Sequence, residues 1–377
     1  MLSSAINATP SQSQALYEET AKLKLVSTLY VLCGSVACLS NSATVLTVAA
    51  TRQLRSKKEY VIFAGLALAD ALDALGLSYA GVYRLTVFKR IGDAEPPMVP
   101  ALYCAAQPFV VFWLWMASSS SFMAVSLSCD RLLAVSKPFS YYRLTSSYAV
   151  RVVLLSQIYG FFWWAPSPFE LFSDDWHKTP VESVCVATDA LPRSIAAVMI
   201  QTWLLSVFSI CIYACVLISF FKTRTDTSLV QHLDPKSFKK FFAFQKRMTW
   251  TFGLSSVTTA LFDTTPKTVL AASHLYRVAF VPVSNLERLH VLNTFIVFSF
   301  VSQKINATVN FLYVFCRHAE FRRALLRLVG FAGRTDIDSA ARRQLEYSEA
   351  SVQLTRKITA SAPWVAATEA SERATQV

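Results

Sequence analysis

Charge is scarce in this chain. Of 377 residues only 16% are Asp, Glu, Lys or Arg, while 54% are hydrophobic, against roughly a quarter charged in soluble domains. Such a composition belongs to a polytopic membrane protein or to an aggregate. Glycine is scarce as well, with nine in all. No Gly-rich broken apolar segment and no internal repeat is present, which argues against a transporter or channel of the repeat-and-broken-helix kind. The five histidines, His177, His232, His274, His290 and His318, are dispersed through loops and helix ends. No cluster of His, Asp and Glu therefore marks a membrane enzyme. Residues 1–20 lack the apolar core of a cleavable signal peptide, so the first membrane helix is expected to target the chain.

What the chain has is apolar runs. Seven follow one another, at residues 25–50, 60–83, 101–135, 149–169, 195–221, 241–273 and 291–315. Each reaches the roughly 20 residues that span a bilayer as a helix, and helices are the default for such runs in lipid. The expected fold is an all-α membrane protein, a seven-transmembrane helix bundle.

Orientation follows from the distribution of Lys and Arg. The net charge of +12 could suit nucleic acid, but the basic residues sit in short clusters between the apolar runs. Arg52, Arg55, Lys57 and Lys58 follow the first run, Lys137, Arg143 and Arg151 the third, Lys222 to Arg247 the fifth, and Arg317, Arg322, Arg323 and Arg327 the seventh. The alternate loops are poorer in Lys and Arg and hold Asp93, Glu95, Asp174, Asp175, Glu182 and Asp189. The rich side is cytoplasmic, which puts the N-terminus outside and the C-terminus inside.

The expected organisation is an extracellular tail over 1–24, a membrane domain over 25–328, and a polar, disordered cytoplasmic tail over 329–377. Asn7-Ala8-Thr9 is a glycosylation sequon on the outer tail. Phe321 to Leu328 sets apolar residues at helical spacing beside a basic face, as in a helix lying on the inner leaflet. Of eight cysteines only Cys104 and Cys185 fall in or beside outer loops, and one disulfide in an oxidising compartment is the economical reading.

The stretch from Ala101 to Tyr142 opens with Cys104 and ends past Asp130-Arg131-Leu132, an acid and a base at the foot of a spanning segment. It resembles the third helix of rhodopsin-like (class A) G-protein-coupled receptors, with Leu132 in place of Tyr. The resemblance covers the membrane region. Asn41, Leu66 to Asp70, Ser120, Pro266, Asn306 and Asn310 match family positions. The run Asn306 to Tyr313, with Asn310-Phe311 where most members have Asn-Pro, looks most like invertebrate FMRFamide-type peptide receptors. Departures fall on switch positions: Thr264 replaces the sixth-helix Trp, the fifth run has no proline, and Tyr313 comes one residue early. Cys104 also precedes Arg131 by 27 positions (131 − 104), about two more than usual.

The resemblance implies a receptor that is not an enzyme. It passes an extracellular ligand, here a neuropeptide, to a heterotrimeric G protein at the plasma membrane, with arrestin and kinases acting on the C-terminal tail. It implies that Cys104 pairs with Cys185, and that Asp130 and Arg131, beside Lys246 and Arg247, contact the G protein. The family's acidic latch on the sixth helix would fall near Lys246, so that latch is missing and the resting state is expected to leak. Around Asp70 it implies a sodium site with Asn41, Ser120, Asn306 and Asn310; a polar network without an ion is the alternative. Hard oxygen donors around one carboxylate suit a small cation, and a lone carboxylate at mid-bilayer costs about 3 kcal/mol.

Lys304 stands six positions before Asn310, about 9 Å toward the outside, too deep to reach the interface easily. It calls for an acidic partner, with Asp73 first and Asp263 second. Three roles stay open: a structural ion pair, a ligand-carboxylate anchor or activation switch, and the retinal lysine of an opsin. Against retinal, the third helix offers no counter-ion. Its outer half holds Val111, Phe112 and Trp113, which also leaves no acid for a monoamine. A chemosensory or opsin-like receptor of the same fold is the alternative function; a transporter or channel comes after it.

Overall fold

The computed structural model describes residues 10–92, 96–167, 179–186, 190–225, 235–269 and 286–330. The sequon at Asn7, the tail beyond residue 330, and His177, His232 and His274 lie outside them.

Seven long helices form one bundle: α1 Pro10–Ala50, α2 Lys58–Ile91, α3 Pro108–Ser136, α4 Ser146–Trp164, α5 Pro192–Thr225, α6 Pro235–Thr259 and α7 Leu286–Arg317. A short helix α8, Ala319–Leu328, follows. Among the described residues, four helices are long and apolar enough to cross a membrane by composition alone, over Thr20–Ala50, Lys58–Ile91, Pro108–Ser136 and Arg193–Lys222.

The bundle is turned outward in the manner of a protein whose solvent is lipid. Leu25, Leu29, Leu32, Val36, Leu39 and Leu46 are exposed along one face of α1, at spacings of three, four and seven. The inward face carries Ser27, Asn41, Thr44 and Thr47, all buried. Lipid is as apolar as Leu, so helices associate through close packing of small residues and polar contacts. Gly160 shows how close: a Cβ there would meet Ser119 Oγ at 2.1 Å and the Trp115 carbonyl at 2.5 Å, which presses α4 onto α3.

Several helix ends differ from the sequence expectation, and three of the differences have a local reason. α1 starts at Pro10, well inside the expected tail. Proline is at home in a first turn, and the Gln, Ala, Leu, Glu and Lys that follow are good helix formers. The expected 101–135 run is split into Ala101–Ala105 and α3. Gln107, before Pro108, is extended at φ −64°, ψ 133°, as a residue preceding proline prefers. This break absorbs the surplus residues between Cys104 and Arg131. α4 ends at Trp164, short of residue 169, where Pro166 and Pro168 would remove helix donors.

α6 carries a π turn at Ala260–Thr264. Pro266 has no N–H to offer the Phe262 carbonyl, and a widened turn is one way a helix accommodates that loss. The turn carries Asp263 and Thr264, both buried.

At the outer end, strands β1 (Met98–Pro100) and β2 (Pro180–Glu182) pair antiparallel with Val99 opposite Val181. The Cys104–Cys185 disulfide bonds this cap to the short helix Ala101–Ala105 that precedes α3, and Tyr83 Oη donates to the Ser183 carbonyl at 2.9 Å. An outer apolar cluster around Phe109, Leu114 and Leu191 lies beneath it. An inner cluster runs from Leu54 and Tyr60 through Met123 and Met248 to Phe321 and Leu325 of α8. Lys57 pairs with Glu320 across the inner surface.

Candidate functional site

Two polar sites interrupt the apolar interior. The inner one is a cage around Arg131, which is fully buried, as is Asp130. The Arg131 guanidinium donates through Nε and Nη2 to Asp130 Oδ2, through Nη2 to Tyr141 Oη at 2.7 Å, and through Nη1 to Gln245 Oε1 at 3.2 Å. Tyr141 belongs to the short helix Pro138–Arg143 in the loop after α3. Its hydroxyl lies 3.1 Å from both Glu59 Oε1 and Asp130 Oδ2 and donates to one of them. Gln245 Nε2 stands 3.5 Å from Glu59 Oε1. Lys58 donates to the Tyr141 and Leu144 carbonyls, with Nζ 3.8 Å above the Tyr141 ring. Two cations and two anions thus cancel out of reach of water, as buried charges must. Asp130 Oδ1 has no hydrogen-bond partner among the described residues.

Beside the cage, just past the end of α7, His318 is buried between three helices. Its Nε2 lies 3.2 Å from Thr251 Oγ1 of α6, and its Nδ1 lies 3.3 Å from Tyr60 Oη of α2. The Thr251 hydroxyl donates to the Arg247 carbonyl at 2.8 Å, so it accepts from the ring. That makes Nε2 the protonated nitrogen and Nδ1 the acceptor from Tyr60, a neutral tautomer. Burial, helped by the charges of Arg247, Arg317, Lys57 and Arg131, holds its pKa down at about 4.

The second site is a cavity of about 80 Å³ near the middle of the bundle, lined among others by Asp70, Asp73, Asp263, Lys267, Lys304 and Asn310. Ser120 Oγ donates to Asp70 Oδ1 at 2.5 Å. Lys304 pairs with Asp73. Asp263 is engaged elsewhere, by Lys267 on Oδ1 and Ser206 on Oδ2, each at 2.7 Å.

The residues picked from the sequence divide accordingly. Asp70 and Ser120 are in contact. Asn306 lines the same cavity but bonds to Thr259, and Asn310 accepts from Ser255 at 2.6 Å. Asn41 donates to the Ala37 carbonyl, and at 3.5 Å to that of Ala307. The set of carboxylate, hydroxyl and amide oxygens fits a small hard cation, although the amides spend their bonds on α6. Lys246 and Arg247 are exposed on α6. It is Gln245, one residue earlier, that faces Arg131, so the sixth-helix contact expected to be missing is present as an amide. Trp115 Nε1 donates to the Gln157 carbonyl, and Trp203 Nε1 to Thr268 Oγ1; these indoles pack between helices.

Sequence reasoning missed Lys58, Glu59, Tyr141, Gln245 and His318. One signal was available: Glu59 is the single acid between Arg52 and Asp70, at the start of an apolar run.

The chain matches the family described as 7 transmembrane receptor (rhodopsin family) over residues 40–317. No individual curated protein matches it. The matched span runs from the inner face of α1 to the last residue of α7 and takes in both the Arg131 cage and the midplane cavity. The chain belongs to the rhodopsin family of seven-transmembrane receptors.

Proposed function

We propose that this multi-pass receptor couples an extracellular neuropeptide to a heterotrimeric G protein, through release of Arg131. The observation that carries the reading is the cage: a guanidinium at the inner end of α3, fully buried and charge-balanced, held by groups from α2, α6 and the loop after α3. Ligand binding outside would open α6, freeing Arg131 for the G protein, with exposed Lys246 and Arg247 beside it. The peptide assignment rests on the Asn310-Phe311 resemblance to FMRFamide-type receptors and on the acid-free outer half of α3.

The same reading places the protein at the plasma membrane, with a glycan on Asn7 in the tail before residue 25, and arrestin and kinases at the tail beyond residue 328. Sodium, if bound, would be held by Asp70 and Ser120 with Asn306 and Asn310 on the cavity wall; it would supply the charge that Asp70 lacks a partner for. An opsin-like reading is disfavoured, because Lys304 is committed to Asp73 and the outer half of α3 offers no counter-ion.

The test is a peptide-library screen in cells reporting G-protein activation, followed by Arg131→Ala. That variant should bind the active peptide with little change and lose nucleotide exchange on the G protein. Normal exchange in the variant would sink the coupling role.

A further inference from the structure

His318 stands against the part of the bundle that the proposed release of Arg131 requires to move. Its side chain is 2% exposed and lies between Thr251 of α6 and Tyr60 of α2, with its ring edge-on to the Tyr60 ring at 5.9 Å. Nε2 carries the proton and Nδ1 accepts from Tyr60, so a second proton has only Nδ1 to go to. The charges around the ring keep that proton away. Arg247 faces it from α6, Arg317 from the end of α7, Lys57 from the segment before α2 and Arg131 from α3. The acids nearby, Glu59 of α2 and Glu320 of α8, bear on Tyr60. Glu320 is spent on Lys57, and Glu59 lies in the cage with Tyr141 and Gln245. α1 carries no charge from Asn41 to Ala50.

Two of the features that exclude the proton belong to α6. Thr251 covers one edge of the ring, and Arg247 is the cation with the largest effect on it. Outward movement of α6 removes both and lets water reach the imidazole. We propose that the inner end of α6 is proton-coupled: its opening takes up one proton from the inner aqueous phase on His318 Nδ1, so that acid on that side favours the open receptor. The hydrogen bond from Tyr60 must break or reverse as the proton arrives, which frees the α2 side of the ring as well. The sign follows from linkage, since the state that holds the proton more tightly gains as pH falls. The closed state holds it with a pKa of about 4, and an exposed imidazole with one of 6.5. If opening restores the exposed value, the open fraction rises about threefold between about pH 7.2 and about pH 6.0. This rests on the reading that α6 opens to release Arg131, and it adds a second input to that movement.

The test measures how often α6 uncovers its inner face in purified full-length receptor, with no ligand and no G protein. Thr249 lies one turn from Gln245 on the same face of α6, is buried, and its hydroxyl has no hydrogen-bond partner among the described residues. Thr249→Cys therefore places a thiol there at little cost. Its labelling by a cationic methanethiosulfonate is followed by peptide mass spectrometry, which separates it from the native cysteines. Thiolate content changes with pH, so the rate is divided at each pH by the rate of the same receptor carrying His318→Gln, which keeps a donor and an acceptor without a titrating ring. That ratio should rise about threefold from about pH 7.2 to about pH 6.0. His318→Arg, a fixed cation, should label faster than His318→Gln at both pH values. Ser156→Cys, buried on α4, should show a flat ratio. A flat ratio at Thr249→Cys overturns the proposal, and so does an equal rise at Ser156→Cys, which would mean that acid loosens the whole bundle. No labelling of Thr249→Cys at either pH overturns it too, because a segment that stays closed takes up no proton. A flat ratio leaves the coupling role of Arg131 standing, since that role is decided separately by nucleotide exchange in Arg131→Ala.

Discussion

His318 shows how far a side chain's surroundings can set its chemistry. In the sequence it is one of five scattered histidines. In the fold it is a neutral connector between α2 and α6, surrounded by Arg247, Arg317, Lys57 and Arg131. Its pKa lies near 4 when folded, against 6.5 in a free side chain. The unfolded chain therefore binds a proton more readily, and stability rises with pH across that interval. The contribution is fully present above pH 6.5 and is lost as pH falls toward 4. His318→Gln should flatten the fall in Tm between those two values relative to wild type. Parallel Tm curves for the two proteins would show that the imidazole is not the titrating group. No pattern in the sequence points to this role, because it depends on partners from distant segments, with Thr251 67 positions away.

Whole elements are more legible, although one contact within them is not. Seven runs of apolar residues are legible because lipid leaves a helix no alternative, and Asp130-Arg131 is legible because the two are adjacent. The acid missing from α6 suggested a helix unlatched at its inner end. Yet α6 is held there by two uncharged side chains, Gln245 on Arg131 and Thr251 on His318. Hydropathy and charge counts do not register an amide that replaces a carboxylate. A hydrogen bond to a charged group is worth about 1.5–3 kcal/mol, which is a factor of roughly 10 to 150 in a two-state equilibrium. Gln245→Leu should accordingly raise agonist-free nucleotide exchange at least several-fold at matched surface expression. An unchanged basal rate would mean that α6 is held in place by packing alone.

Taken whole, the molecule has a covalent outer end and a polar inner one. The outer cap is closed by Cys104–Cys185, joining residues 81 apart, and by a short strand pair. Removing a native disulfide typically costs about 2–5 kcal/mol. Cys104→Ser should lower surface expression and Tm together, measured by surface labelling and thermal unfolding. A variant with wild-type values in both assays would show that β1, β2 and the Tyr83 contact suffice to hold the cap. One disulfide is legible in the sequence, because only Cys104 and Cys185 fall in or beside outer loops. The pairing of the Arg131 cage could not be found that way, since Gln245 and Glu59 meet across 186 residues.

The cage has a consequence for how a graded signal is made. Arg131, Asp130, Glu59 and Lys58 balance one another only as a set. Removing one partner from a buried pair costs roughly 3–5 kcal/mol, so a receptor with the cage half undone would be populated at less than about one part in a hundred. On the proposed release of Arg131, opening would then be all-or-none within each molecule. A weak agonist and a strong one would differ in what fraction of receptors stands open at any instant, not in how far each one opens.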